Sequence, residues 1–212
     1  RIKDGEALCM TFLPAAPFIH GAAQWASLIG WVTGSKIIVI PGPSFNPKQA
    51  CEVIDKESVT TLIVVGDAMA RPFADELRAG SYDTSTLMVI ASQGAILSGS
   101  VKDELQELLP EVMILNNFGA TETGHQGTGF EDPDSGRLTF MMDENNVVLD
   151  EDRKPLEPGT GKIGYLARTG RLPIGYYNDT EKTAKTFVEI DGKRWVITGD
   201  MGILEEDGTV TL

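Results

Sequence analysis

Between residues 60 and 119 three short apolar runs, TTLIVVG, TLMVIASQG and EVMILNNFG, alternate with two stretches of helical periodicity, AMARPFADELRAG and SGSVKDELQELL. Continuous apolar runs of this length suit strands buried on both faces, and amphipathic helices between them cover those faces. The alternation therefore selects an α/β fold with a mostly parallel sheet flanked by helices. It begins upstream. Residues 18–33 are apolar nearly all round and read as a buried helix, while KIIVI (36–40) is a β-branched run stopped by Pro41-Gly42-Pro43. Residues 46–58, NPKQACEVIDKES, carry an Asn cap, a Pro at the first helical position and apolar Ala50, Val53 and Ile54, the pattern of an amphipathic helix.

Beyond about residue 130 the texture changes. Short alternating runs are separated by Asn, Asp, Gly and Pro clusters, one brief helix is expected at DTEKTAKTF, and a hairpin turning at Asp207-Gly208 closes the chain. The expected organisation is an α/β subdomain over 1–130 and a smaller antiparallel β subdomain, a partial barrel, over 131–212, with the boundary near 131–136.

Charge and cysteine usage exclude several classes. Eighteen basic against 31 acidic residues leave a net charge of -13, which opposes nonspecific adhesion to nucleic acid or anionic lipid. A polyanionic ligand then needs a local site with a metal counter-charge. Cys9 and Cys51 lie far apart with neither CxxC spacing nor histidine neighbours, so buried reduced thiols are expected rather than a zinc site or a disulfide. The longest apolar region, WASLIGWVTGSKIIVI, is interrupted well short of about 18 continuous apolar residues, so no transmembrane segment and a cytoplasmic location are expected. An opening without methionine and an ending inside a hairpin suggest a piece of a longer protein.

In open parallel sheets ligands gather at the carboxyl ends of strands, where backbone groups run out of ladder partners. Two runs deliver unusual residues there: MVIASQGAILS ends in Ser92-Gln93-Gly94-Ala95, and VMILNNFGATETG ends in residues 116–122. A glycine-alanine step lets a flat ring lie against bare backbone, Phe118 suits its other face, and the amide of Asn116 suits its edge. Thr121 beside Glu122 suits a phosphate oxygen and a magnesium ion, since magnesium takes few carboxylates together with substrate phosphate. On spacing alone, Thr121-Glu122-Thr123 equally suits the capped start of a helix, Phe118 a core position, and His20 a hydrogen-bonded core residue.

Taken together, NNFGATETG resembles the Asn-x-aromatic-Gly-x-Thr-Glu motif of the adenylate-forming superfamily, which includes acyl-CoA synthetases, firefly-type luciferases and peptide-synthetase adenylation domains. Four further segments are similar to that family's motifs in its order: LPAAPFIHG, SQGAILS, GYLARTGRLPIGYYNDTEKTAKTF and WVITGD. The resemblance runs over about 13–200.

It implies that Phe118 stacks on adenine, that Asn116, Asn117, Gly119 and the Gly94-Ala95 backbone border the base, and that Asp200 accepts from the ribose hydroxyls. It further implies that Thr121 meets a phosphate, that Glu122 ligates Mg2+, and that His20 stands at the acyl pocket on the thiol route. Phe18, Trp25, Leu28 and a loop at 124–129 are the expected pocket walls. The implied activity is ATP-dependent activation of a fatty or similarly hydrophobic acid as its acyl-adenylate and transfer to coenzyme A. Two other classes stay open: an amino-acid or aryl-acid adenylating domain serving a carrier protein, and a non-enzymatic nucleotide-binding module.

Departures are specific. Gln93 stands for a usual glycine, and Tyr165-Leu166 follows Gly164 where Glu-Leu is common. The family's phosphate loop, hinge and C-terminal lysine are not in the sequence, so the chain is expected to be inactive alone, an expectation that ATP-pyrophosphate exchange by this chain would contradict.

Overall fold

The apolar runs become strands because their residues are needed on two faces at once. In the computed structural model, which describes residues 10–131 and 136–212, β1 (Thr11–Pro14), α1 (Gly21–Val32), β2 (Lys36–Ile37), α2 (Pro47–Glu57), β3 (Thr61–Val64), α3 (Gly66–Ala79), β4 (Val89–Gln93) and α4 (Gly99–Leu108) follow in order. β5 (Met113–Ala120) comes next. β1 pairs β2 and β3 in parallel, and β3 pairs β4 in parallel. The strand order is β2-β1-β3-β4-β5.

Along β3 the side chains alternate between two cores, as the two-residue period of a strand requires. Leu62 and Val64 join Ile54 of α2, Phe73 of α3 and Leu105 of α4 in one cluster, while Ile63 joins Ala22, Ala23 and Ala26 of α1 in a second. Local signals set the helix starts. Asn46 Oδ1 accepts the Gln49 N–H at 3.0 Å, and Gly80 closes α3.

Helix α1 departs from the expectation of a fully buried helix. Only its small residues Ala22, Ala23, Ala26, Ser27 and Gly30 are buried, whereas Trp31 is 61% and Val32 82% exposed. The sheet selects the small face because Gly30 lies directly against Ile37 and Phe12. The run at 36–40 likewise yields only a two-residue strand.

The described residues divide into two compact units, 1–116 and 117–212, a division upstream of the expected boundary at 131–136, part of which lies outside the described residues. Antiparallel structure begins already at β6 (Gly124–Glu131), which pairs antiparallel with β7 (Leu138–Met142). β8 (Asn146–Leu149), β9 (Ile163–Arg168), α5 (Thr180–Thr186), β10 (Phe187–Ile190), β11 (Lys193–Leu204) and β12 (Val210–Thr211) complete the second unit. Its order is β6-β7-β12-β11-β9-β8, with β10 beside β11. The two end strands are bridged by side chains, Gln126 Nε2 donating to Asn146 Oδ1 at 3.1 Å, so this sheet curls into a partial barrel. Phe140, Val148, Leu166 and Val210 fill its inside. Cys51 is free and buried; Cys9 lies outside the described residues.

Candidate functional site

In the first unit the candidate residues sit on the loop that leaves β4. Three buried or half-buried side chains from three different segments hold it. Ser92 Oγ accepts the Gly66 N–H at 2.9 Å and donates to Ala95 O at 3.0 Å. Asp67 takes the Ser98 N–H at 2.8 Å and the Ser98 hydroxyl at 2.7 Å. Asn116 closes the clamp: its Oδ1 accepts the Leu97 N–H at 2.9 Å and its Nδ2 donates to Leu97 O at 3.1 Å. Buried backbone groups must find partners, and here they find side chains instead of a ladder. The amide expected to read a base edge thus spends one donor and one acceptor position on Leu97, with one N–H and one lone pair left over. Gly94 and Ala95 lie in the middle of the clamped loop.

His20 is the N-cap of α1, its Nδ1 accepting the Ala22 N–H at 3.2 Å, and it is exposed, not a core histidine. Its ring lies against Gly94. A cavity of about 260 Å³ opens between residues 14–18 and 39–46, walled by Pro14, Phe18, Val39, Pro43 and Phe45. Phe18 lines this cavity, and Trp25 and Leu28 do not.

In the second unit the motif ATET is neither a helix start nor a loop of loose geometry. Residues 121–123 form the tight turn between β5 and its neighbour β6. Thr123 Oγ1 accepts the Ala120 N–H at 2.8 Å, and its own N–H donates to Ala120 O at 3.1 Å. Gly119 is required here because Gly124 O occupies the space of a Cβ. The turn leaves Thr121 exposed and Glu122 half-buried. Residues 124–129, expected as a loop, lie in β6.

Glu122 has a partner the sequence reading missed. The Tyr176 hydroxyl donates to Glu122 Oε1 at 2.5 Å. Tyr176 is itself braced: its N–H donates to Thr183 Oγ1 at 2.9 Å, Lys182 Nζ stands 4.1 Å from its ring, and Phe187 meets it edge-on at 5.9 Å. Desolvation, then the Glu122 carboxylate, push the Tyr176 phenol above its ordinary range, so it stays a donor at neutral pH. The signal was on the page as GYYNDTEKTAKTF; what the sequence withheld was which side chain meets which carboxylate.

Phe118 is half-buried against Val148, Leu166 and Val210 and meets Phe140 edge-on at 6.0 Å. Asn117 Oδ1 accepts the Thr128 hydroxyl at 3.2 Å. Asp200 sits on a bulge of β11, where Thr198 to Asp200 face Leu166 alone on β9. The Thr198 hydroxyl donates to Asp200 Oδ2 at 2.6 Å, which orients the exposed carboxylate and leaves its other oxygen free to accept. Among the described residues no cluster of three or more metal-binding side chains occurs, and no helix is long and apolar enough to cross a membrane.

Fold and loops together define an α/β protein whose polar, glycine-marked loops follow the carboxyl ends of buried strands, followed by a curled antiparallel sheet. The sequence profile of the AMP-binding enzyme family matches residues 3–177, and the chain belongs to that family. It is 43% identical over 208 residues to the 3-oxocholest-4-en-26-oate–CoA ligase of Rhodococcus rhodochrous, an alignment covering 94% of this chain and 37% of the relative. It is 37% identical over 216 residues to the medium-chain acyl-CoA ligase Mig of Mycobacterium avium, covering all of this chain and 39% of that protein. The chain thus spans under two fifths of the length of these relatives. A long-chain-fatty-acid-CoA ligase from Archaeoglobus fulgidus superposes with TM-score 0.78 at 21% identity over 98% of this chain and 44% of its own. The nonribosomal peptide synthetase FmoA3 superposes with TM-score 0.83 at 22% identity over 100% of this chain and 24% of its own. At such identities the superpositions carry the fold alone.

Proposed function

We propose that this chain is part of an AMP-forming acid-thiol ligase that activates a hydrophobic carboxylic acid with ATP and hands the acyl group to coenzyme A. One observation carries the reading: the 37–43% identity to CoA-forming ligases runs over 94% or more of the chain. The cavity walled by Phe18, Val39 and Phe45 supports an apolar acid, and the relatives' names, a steroid side-chain acid and a medium-chain acyl group, bracket its size class.

In this reading Phe118, Asn116, Asn117, Gly119 and the Gly94-Ala95 backbone border the adenine, and Asp200 accepts from the ribose. His20 serves the acyl end. A carboxylate oxygen attacks the α-phosphorus and pyrophosphate leaves; the thiolate of coenzyme A then attacks the acyl carbon and AMP leaves. Both partners of the first step are anions on a chain of net charge -13, so local neutralisation decides the rate. The half-buried carboxylate of Glu122 and the exposed hydroxyl of Thr121, one residue apart on a tight turn, fit Mg2+, which is held by one or two carboxylates plus phosphate oxygens rather than by an all-protein cage. Bound there, that ion would supply charge neutralisation at the phosphates; Thr121 would donate to a phosphate oxygen, and Tyr176 would hold the Glu122 carboxylate.

The full-length protein tests this. With a panel of fatty, steroid side-chain, aryl and amino acids, pyrophosphate release is expected with the apolar acids, and the thioester is expected only when coenzyme A is added. Release confined to amino or aryl acids, with a carrier protein as the acceptor, would replace the reading; nucleotide binding without release would reduce the protein to a binding module.

A further inference from the structure

Gly94 and His20 come from opposite parts of the first unit, yet the imidazole occupies the space that a side chain at 94 would need. A Cβ on Gly94 would stand 2.5 Å from His20 Cε1 and 3.0 Å from Nε2, and the backbone there holds φ at +80°. Those atoms are the far end of the His20 side chain, so a Cβ there would displace the ring rather than the backbone. The ring is held on its other side too. His20 donates its backbone N–H to Pro17 O at 2.8 Å, and Nδ1 accepts the Ala22 N–H at 3.2 Å. An Nδ1 that accepts carries no proton, so the neutral ring carries it on Nε2. With Nδ1 taken by the helix cap, Nε2–H is the donor the ring has left.

We propose that Gly94 is a positioning residue for His20: its bare α-carbon is the seat that fixes the imidazole, so that Nε2–H is presented as an oriented donor to a carboxyl or phosphoryl oxygen. The seat stands on this geometry alone; the identity of the acceptor rests on the acid-activating reading above. The role differs from lining the base. A glycine that only borders adenine answers to the nucleotide, whereas this one answers to a histidine.

In long-range 1H–15N spectra of the imidazoles of the full-length protein, comparison with a His20→Asn sample assigns the His20 ring system. The expected wild-type pattern is a single Nε2–H tautomer. In Gly94→Ala the His20 signals are expected to move and the two nitrogens to drift toward averaged values. Gly94→Asn is the second variant, because asparagine tolerates the left-handed backbone while still adding a Cβ, so the same change in both separates ring displacement from backbone strain. His20 signals that coincide with wild type in both variants overturn the proposal.

In the full-length enzyme Gly94→Ala is expected to lower kcat for adenylation by about ten- to a hundredfold, the scale of a misplaced reacting group. In a His20→Asn background, where asparagine keeps the cap without the ring, the same substitution is expected to cost little more. A raised KM for ATP with unmoved His20 signals would return Gly94 to the base and overturn the seat. Should the full-length protein activate no acid, the imidazole spectra still decide between seat and no seat.

Discussion

The loop after β4 and the turn after β5 both carry motif residues, and those residues find different kinds of partner. On the first, side chains bond backbone: Asn116 takes both polar groups of Leu97, and Ser92 and Asp67 take neighbours on either side. On the second, the distinctive contact is between side chains, Tyr176 to Glu122, while Thr121 stays exposed. A buried amide that replaces a missing ladder partner leaves backbone groups stranded when it is removed; a half-exposed carboxylate that loses a phenol can turn to water. The first loop is therefore held as fixed backbone, and the second presents side chains that water can reach.

The largest test of that contrast is Asn116→Ala. It strands the Leu97 N–H and O in a site where Asn116 itself is only 6% exposed, so a loss of about 2 kcal/mol or more is expected. Urea unfolding measures the loss, and hydrogen exchange should localise the opening to 94–98. A loss below about 0.5 kcal/mol would mean that the clamp is ornamental and the contrast between the two loops is false.

Tyr176→Phe is the matching test on the other side. It removes one hydroxyl and keeps the ring between Lys182 and Phe187, so a smaller loss of about 1 kcal/mol is expected in thermal unfolding, and no change in exchange at 94–98. Equal losses in the two variants would erase the distinction.

How much of this was legible follows the same division. The Asn46 cap was readable because cap and partner lie within three residues, Asn46 with Gln49. The two-sided burial of β3 was readable from TTLIVVG alone. The family was readable by resemblance. The employment of Asn116 on Leu97, 19 residues away, and of Tyr176 on Glu122, 54 residues away, was not, because nothing in a composition or a period says which long-range partner a polar group finds. Helix α1 failed for a related reason: its hydropathy is nearly uniform, so only the demand of the sheet for small residues decides which face is buried.

The smallest expected effect is a pH dependence inside the second unit. Arg168 donates to both oxygens of Asp143, at 3.1 and 3.0 Å, and the Asn145 N–H adds a third bond at 3.0 Å. Burial disfavours the Asp143 anion, but these donors outweigh it and hold the carboxyl below its ordinary range. A carboxyl whose folded pKa lies below its unfolded value binds more protons when unfolded. Its contribution is therefore complete above about pH 4, the ordinary aspartate value, and is lost as the pH falls through the folded pKa. The Asp143 side chain is 43% exposed against 15% for Arg168, so solvent screening keeps the whole contribution below about 1 kcal/mol. Asp143→Asn keeps an oxygen for Asn145 and removes the charge; the stability gap between it and the parent, read from urea midpoints, should narrow as pH is lowered from 6 toward 3, about the span over which the carboxyl protonates. A gap that stays constant or widens would mean that Arg168 is held by packing in the curled sheet, and that side-chain pairs there are as fixed as the clamp on Leu97.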